Sequence, residues 1–338
     1  MSDQPPRRVT DIHTHVVPAA FPASMSGSVP LIEVRPCCDC RRAEVFIDGK
    51  QFRTVTNDCW DVELRLATMD RTGIDRQILS PMPELLSFWR SASDAASIAG
   101  HVNECLALMT ERAPARFAAL GMVPLQDPDL AIRALEEIMA HPGFAGVEIG
   151  TNIAGVSLGD ARFRPFFETA ERLNAAIFVH PVKPVLRYPI SGPPALDALA
   201  IFPCETALAA TALIMSGVAA AHPGLRLAFS HGGGALALLL PRLDNGWRES
   251  PAVRQAIAEL PSAIARRFFY DTLVYDGETL RFLIATFGVR QLCIGTDQPF
   301  AIAEKDPLAR IRALGLSPDD RRLLLSGNAA RFLGAERR

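Results

Sequence analysis

Two histidines one residue apart, His13 and His15, stand in the run VTDIHTHVVP from Val9 to Pro18. On a β-strand side chains alternate faces, so both imidazoles share one side, about 7 Å apart at their Cα atoms, and Thr14 turns away. Two neutral imidazoles placed this way can reach one divalent ion, and histidine is the commonest metal ligand. A pair of capping or surface histidines would give the same letters, so the rest of the chain decides. His180 closes the apolar run AAIFVH, His231 closes LRLAFSH and Asp297 closes QLCIGTD. One such histidine alone reads as a satisfied core residue. Four histidines and an aspartate, each ending an apolar strand, read as a metal centre. Two or three imidazoles with a carboxylate suit zinc, with Mn²⁺ or Co²⁺ as alternatives, and leave a position open for water. A bound ion lowers the pKa of that water towards ~7. One histidine must stay free to move protons. His231 is the choice, because Gly232, Gly233 and Gly234 follow it. Glycines let the backbone approach a substrate and can turn amides towards an anion. The remaining histidines read otherwise: His101 lies on a helix, and His141 and His222 precede Pro-Gly after helices, where positive charge suits a helix C-terminus.

The elements that must position these groups alternate. Strands are expected at 9–13, 76–80, 117–123, 144–150, 175–180, 225–231, 268–272 and 291–297. Helices are expected at 60–72, 94–113, 128–140, 160–174, 203–221, 234–247, 278–286, 306–313 and 318–333. In the first helix Leu64, Leu66 and Met69, with Ile74 beyond it, form the apolar set, and Gly73 marks its end. The strands are short, apolar and mostly not alternating, as expected when both faces are covered. Eight strands each followed by a helix favour an α/β fold, a (β/α)₈ TIM barrel. A doubly wound open sheet is the alternative, but no GxGxxG or GxxxxGK[ST] follows a strand. In a barrel all five strand-end groups fall on one face, where active sites lie. Residues 1–338 read as one domain with an insertion at 18–57. Within it Glu44–Ile47 and Phe52–Val55 flank Asp48-Gly49, a hairpin signal.

Composition sets the bounds. The net charge of −2 provides no global basic field for nucleic acid or anionic lipid. The start, MSDQPPRR, lacks an apolar secretory region. The longest uncharged run, Thr206–Ala221, is too short for a membrane span of ~20 residues and reads as a buried helix. Seven cysteines, Cys37, Cys38, Cys40, Cys59, Cys105, Cys204 and Cys293, are irregularly spaced, which suggests a reducing, cytoplasmic setting. The Cys37–Cys40 cluster lacks CxxC spacing and a second pair, so it reads as incidental or redox-active thiols.

The motifs DIHTH (Asp11–His15), GKQFRTV (Gly49–Val55), CWD (Cys59–Asp61), FVHP (Phe178–Pro181), SHGGG (Ser230–Gly234) and GTDQPF (Gly295–Phe300) occur in order over most of the chain. Together they resemble the amidohydrolase superfamily, in the branch of α-amino-β-carboxymuconate-ε-semialdehyde decarboxylase. The resemblance implies an amidohydrolase-type barrel with zinc held by His13, His15, His180 and Asp297, and with His231 moving protons. It also singles out Arg53, in the insertion hairpin, and Arg242, in LPRLDNGW, which in that family reaches the neighbouring subunit's site. Guanidinium forks bind carboxylates bidentately, so both suit a small carboxylated substrate, and the shared site implies a homodimer. The sequence departs from the family where the loop after strand five carries no tryptophan, where Gln298 replaces an aromatic residue and where Tyr275 replaces a histidine.

The expected activity is therefore non-oxidative decarboxylation of a small carboxylated ring or ring-cleavage product: a hydroxybenzoate, a hydroxypicolinate or a carboxymuconate semialdehyde. One route adds hydroxide with help from His231 and then expels the carboxylate. In the other the substrate chelates the metal while an acid, Asp297 or His231, protonates the ring carbon. The alternative activity is hydrolysis or hydration, such as lactone opening. A metal-binding protein without activity is a third reading, which the intact ligand set disfavours.

Overall fold

The computed structural model describes residues 9–22, 31–37, 41–186, 192 and 195–334. Cys38 and Cys40 lie outside the described residues, and with them most of the cysteine cluster.

The first strand, β1 (Thr10–Val16), is buried along its whole length, as a strand covered on both faces must be. The insertion follows as an antiparallel sheet of β2 (Ile32–Pro36), β3 (Arg42–Ile47) and β4 (Lys50–Thr56). The expected hairpin is β3–β4, turning at Asp48 and Gly49 with φ of 53° and 72°, the left-handed pair that a tight hairpin requires. The sequence reading lacked β2, which pairs with β3. Its alternation is only Ile32, Glu33, Val34, Arg35 before Pro36, too short to register.

The remaining strands are β5 (Arg76–Pro81), β6 (Phe117–Gly121), β7 (Phe144–Gly150), the short hairpin β8 (Asn152–Ile153) and β9 (Val156–Ser157), β10 (Ala176–His180), β11 (Arg226–Phe229), β12 (Phe269–Asp271) and β13 (Leu292–Cys293). Eight parallel strands run in the order β1-β5-β6-β7-β10-β11-β12-β13. The N–H of Ile12 donates to the Ile294 carbonyl at 2.8 Å, which joins the last strand to the first. The barrel expected from the alternation is therefore present. Four strands, β6, β11, β12 and β13, stop short of their expected ends. His231 and Asp297 have φ of 55° and 64°, so both leave the sheet ladder just after β11 and β13.

Helices α1 (Val62–Thr72), α2 (Ala92–Arg112), α3 (Pro128–Ala140), α4 (Arg164–Arg172), α5 (Phe202–Met215), α6 (Val218–Ala221), α7 (Leu236–Glu249), α8 (Pro251–Ala256), α9 (Pro261–Ala265), α10 (Gly277–Phe287), α11 (Pro307–Ala313), α12 (Pro318–Arg322) and α13 (Asn328–Leu333) surround the strands. Aspartates start several of them: Asp61, Asp127 and Asp276 accept the free N–H groups of Leu64, Leu130 and Thr279, as good N-caps do. Gly73 ends α1 with φ 73°, as expected. Leu64, expected on the apolar face of α1, is 46% exposed, and Arg65 is buried instead. The helix expected over 203–221 divides at Gly217, whose φ of 79° is left-handed. The segment Asp197–Met215 is long and apolar enough to cross a membrane. Its Ala207, Ala210, Leu213 and Ile214 pack in the core, in keeping with a buried helix.

Inside the barrel, Ile12, Ile78, Leu120, Phe178, Phe269 and Phe332 form an apolar floor. Burying each large side chain contributes about 1.5–3 kcal/mol. A second apolar layer lies between strands and helices. The strands approach closely at Gly146, where a Cβ would sit 1.8 Å from the Ala176 carbonyl oxygen. Gly146→Ala must part β7 from β10 and is expected to destabilise the fold by about 3 kcal/mol in urea denaturation, and a loss below about 1 kcal/mol would contradict this close approach.

Candidate metal centre

β1 carries His13 and His15 on one face, while Thr14 donates sideways to the Ile78 carbonyl at 2.8 Å, as the pleat requires. The Nε2 atoms of His13 and His15 are 3.2 Å apart. Asp297 Oδ1 lies 3.0 Å from His15 Nε2 and 3.7 Å from His13 Nε2. Donor atoms of His13, His15 and Asp297 fall within 4.8 Å of one another, as do those of His13, His180 and His231. Imidazole and carboxylate converging this closely are a donor set for a divalent ion such as zinc.

The other ring nitrogens are fixed. His13 Nδ1 lies 2.7 Å from Asp271 Oδ2, His15 Nδ1 lies 3.0 Å from the Pro81 carbonyl and His180 Nδ1 lies 2.9 Å from the Pro181 carbonyl. Each of these acceptors takes a hydrogen bond from Nδ1–H and leaves Nε2 to face the cluster, the outer arrangement typical of metal-bound histidines. Asp271 also accepts the N–H groups of His231, Gly232 and Leu273 at 2.9, 2.8 and 3.0 Å. That demand on its oxygens explains the left-handed turn at His231, whose N–H points to a carboxylate rather than to a strand. Asp297 leaves β13 comparably, donating its N–H to the His13 carbonyl at 2.8 Å. Below the pair, Asp11 accepts from Thr296 Oγ1 at 2.6 Å, and burial raises its carboxyl to about 7. Arg65 donates to the His15 carbonyl at 2.9 Å and to Gln77 at 2.8 Å.

Burial sets the protonation. It pushes His180 well below the ordinary imidazole range, helped by the charges of the neighbouring histidines. It pushes His231 down to about 4, helped by His13, and it also lowers His15. Burial opposes charge on His13 too, but the hydrogen bond and charge of Asp271 outweigh it and raise His13. Burial would raise Asp297 and Asp271, and their histidine partners reverse this and hold both as carboxylates. The shifts thus favour neutral imidazoles at His15, His180 and His231 and a carboxylate at Asp297, and favour a proton at His13.

All five strand-end residues singled out in the sequence come together here. Arg53 joins their edge: its guanidinium lies 4.2 Å over the Phe300 ring, and that ring stacks on His15 at 4.9 Å and 16°. Arg242 stands apart, on the exposed side of α7. Gln298 accepts from Gln77 at 3.0 Å, and the Tyr275 hydroxyl donates to the Ile302 carbonyl at 3.1 Å. Sequence reasoning missed Asp271, although it also closes an apolar strand. It missed Arg65 and Phe300 as well, whose contacts with the histidines are purely tertiary.

A family model described as amidohydrolase matches residues 10–335. The 2-amino-3-carboxymuconate-6-semialdehyde decarboxylase of Dictyostelium discoideum is 33% identical over 96% of this chain and 91% of its own length. Gamma-resorcylate decarboxylase of Rhodococcus jostii is 31% identical over 75% of this chain and 82% of its own. The apo crystal structure of Metarhizium anisopliae IDCase superposes with a TM-score of 0.83 at 23% identity, covering 98% of both chains. The chain belongs to the amidohydrolase family. Within it the chain falls in the aminocarboxymuconate-semialdehyde decarboxylase branch, and its reaction class is that of a metal-dependent carboxy-lyase.

Two outcomes follow from the geometry. Asp271→Asn should weaken metal binding by about 10–100-fold in chelator competition, because the carboxylate orients His13, and unchanged affinity would contradict that role. An ion must displace the proton that Asp271 favours on His13, so affinity rises with pH. Calorimetry in buffers of different ionisation enthalpy should show net proton release on metal binding, diminishing as pH rises. Binding without proton release would show His13 already neutral.

Proposed function

We propose that this chain is a zinc-dependent, non-oxidative decarboxylase of a small carboxylated aromatic, pyridine or muconate-semialdehyde-type intermediate. We also propose that it works as one barrel domain in a cytoplasmic homodimer. The observation that carries the reading is the convergence of His13, His15, His180 and Asp297, with His231 beside them and Arg53 at the rim. When bound, the metal supplies a Lewis acid and lowers the pKa of water.

The residues of the chain do the rest. Arg53 is braced over Phe300, so its fork is presented next to the ligands without a long search through rotamers. It suits a substrate carboxylate, which it can bind bidentately. Breaking the carbon–carboxylate bond releases CO₂ and leaves the electron pair on carbon, which must then take a proton. His231 is the group proposed to move that proton. Because it is neutral at working pH, it acts first as a base and gives the proton back in a later step. That order favours addition before carboxylate loss over direct protonation by a charged imidazole. Arg242 is assigned to the neighbouring subunit's site, consistent with its exposed place on α7.

The test is a CO₂-release screen of zinc-loaded protein over hydroxybenzoates, hydroxypicolinates and carboxymuconate semialdehydes. One of these should release CO₂, and His231→Ala should lower kcat on it by about 10²–10⁴-fold without loss of metal. A metal-loaded protein that releases no CO₂ but opens lactones would replace the reading with a hydrolase. For the shared site, mixing Arg242→Ala with His231→Ala protein should restore part of the activity. No recovery despite subunit exchange would place Arg242 outside the site.

A further inference from the structure

We propose that Glu148 selects the substrate by hydrogen-bonding an oxygen substituent that neighbours the departing carboxylate. The inference deepens the decarboxylase reading and rests on it.

Glu148 belongs to β7, where its two neighbours Val147 and Ile149 pack outward in the helix-facing core. Alternation therefore sends Glu148 inward. It pairs in register with Phe178 of β10, whose ring centroid lies 5.0 Å from that of His13 and 6.4 Å from that of His180. The carboxyl thus sits between the apolar floor and the metal ligands. Its relative exposure is 0%, the same as His13 and His15, so full closure is shared with the site itself.

Neither carboxyl oxygen of Glu148 has a hydrogen-bond partner. The hydroxyl of Ser80, on β5, lies beside Glu148 and acts to lower its carboxyl, but the two do not meet in hydrogen-bond geometry, and Oε2 of Glu84 in the turn after β5 is likewise unpartnered. Buried polar groups in folded proteins are almost always paired, and an orphan calls for a water, an ion or a ligand. Here orphans from two strands and one turn meet beside the ligand cluster, and Glu84 lies within electrostatic reach of Arg53 and Asp297. The fold has no use for such an acid, because an apolar side chain of the same length would avoid burying an unpaired polar group. Glu148 is not part of either group of converging donors, which sets it apart from the metal ligands.

The chemistry of the partner follows from the surroundings. Burial, reinforced by the charges of Glu84 and Asp297, keeps the proton on Glu148. A protonated carboxyl offers a donor, and its complement is an acceptor such as a phenolate or carbonyl oxygen. A ring bearing only a carboxylate would leave Glu148 and Ser80 unpaired, which is the condition under which buried polar sites discriminate strongly.

The test compares zinc-loaded wild type with Glu148→Met by calorimetric binding of benzoate, 2-hydroxybenzoate and 2,6-dihydroxybenzoate. Wild type should prefer the hydroxylated acids by about tenfold, and the variant should narrow the preference to about threefold or less while benzoate affinity stays within about twofold. The variant's Tm should equal or exceed that of wild type, because an orphan acid is gone. A wild type without preference, a variant that weakens all three acids alike, or a variant that melts earlier or fails to fold would each overturn the proposal in favour of a structural role. CO₂ release measured on the same acids keeps the two ideas separate. Lost discrimination with no CO₂ from these acids or from the hydroxypicolinates and carboxymuconate semialdehydes of the wider screen would sink the decarboxylase reading alone, and CO₂ with an unaltered preference would sink the Glu148 subsite alone.

Discussion

The contact on which the site depends is the 2.7 Å pairing of His13 Nδ1 with Asp271. Both groups are sealed from solvent, so each would be costly to bury alone. Together they fix the orientation of His13, and the same carboxylate draws in the N–H groups of His231 and Gly232. One acid on β12 therefore sets the candidate ligand His13 on β1 and the turn that carries His231. The barrel makes this possible by curling its eight strands until the first meets the last.

Electrostatics then divides labour among like side chains. His180 is pushed towards the neutral form by burial and by its neighbouring histidines, and His231 by burial and by His13, whereas His13 is pulled towards charge by Asp271. A metal site needs neutral imidazoles and deprotonated carboxylates, and the protein reaches nearly that state before any ion arrives. Glu148 shows the opposite outcome. Burial, with the charges of Glu84 and Asp297 beside it, shifts its carboxyl upward, towards the protonated form.

Much of this was legible in the residues. Histidine at the end of an apolar strand survives in the letters because strand position and side-chain direction are local properties. The hairpin at Asp48-Gly49 was legible because its left-handed backbone is written in residue type. Other features belong to tertiary structure. The left-handed turns at His231 and Asp297 arise from partners 40 residues away and on another strand. Nothing in the helical pattern of α1 marks Arg65 for burial, because its partners, Gln77 and the His15 carbonyl, lie outside the helix. The division at Gly217 lay inside a run whose alanines read as continuous helix. Asp271 and Glu148 carried a weak signal, an acid in or after an apolar strand, that a lone carboxylate cannot make specific.

The measurement that bears most directly on this reading is a metal titration of activity. Protein stripped by chelation would be titrated with Zn²⁺, and CO₂ release from its best carboxylate substrate followed at each step. A site built from His13, His15, His180 and Asp297 predicts activity that rises linearly and breaks at one ion per chain. Full CO₂ release from stripped protein, or a break at two ions per chain, would contradict a single metal centre as the seat of the reaction.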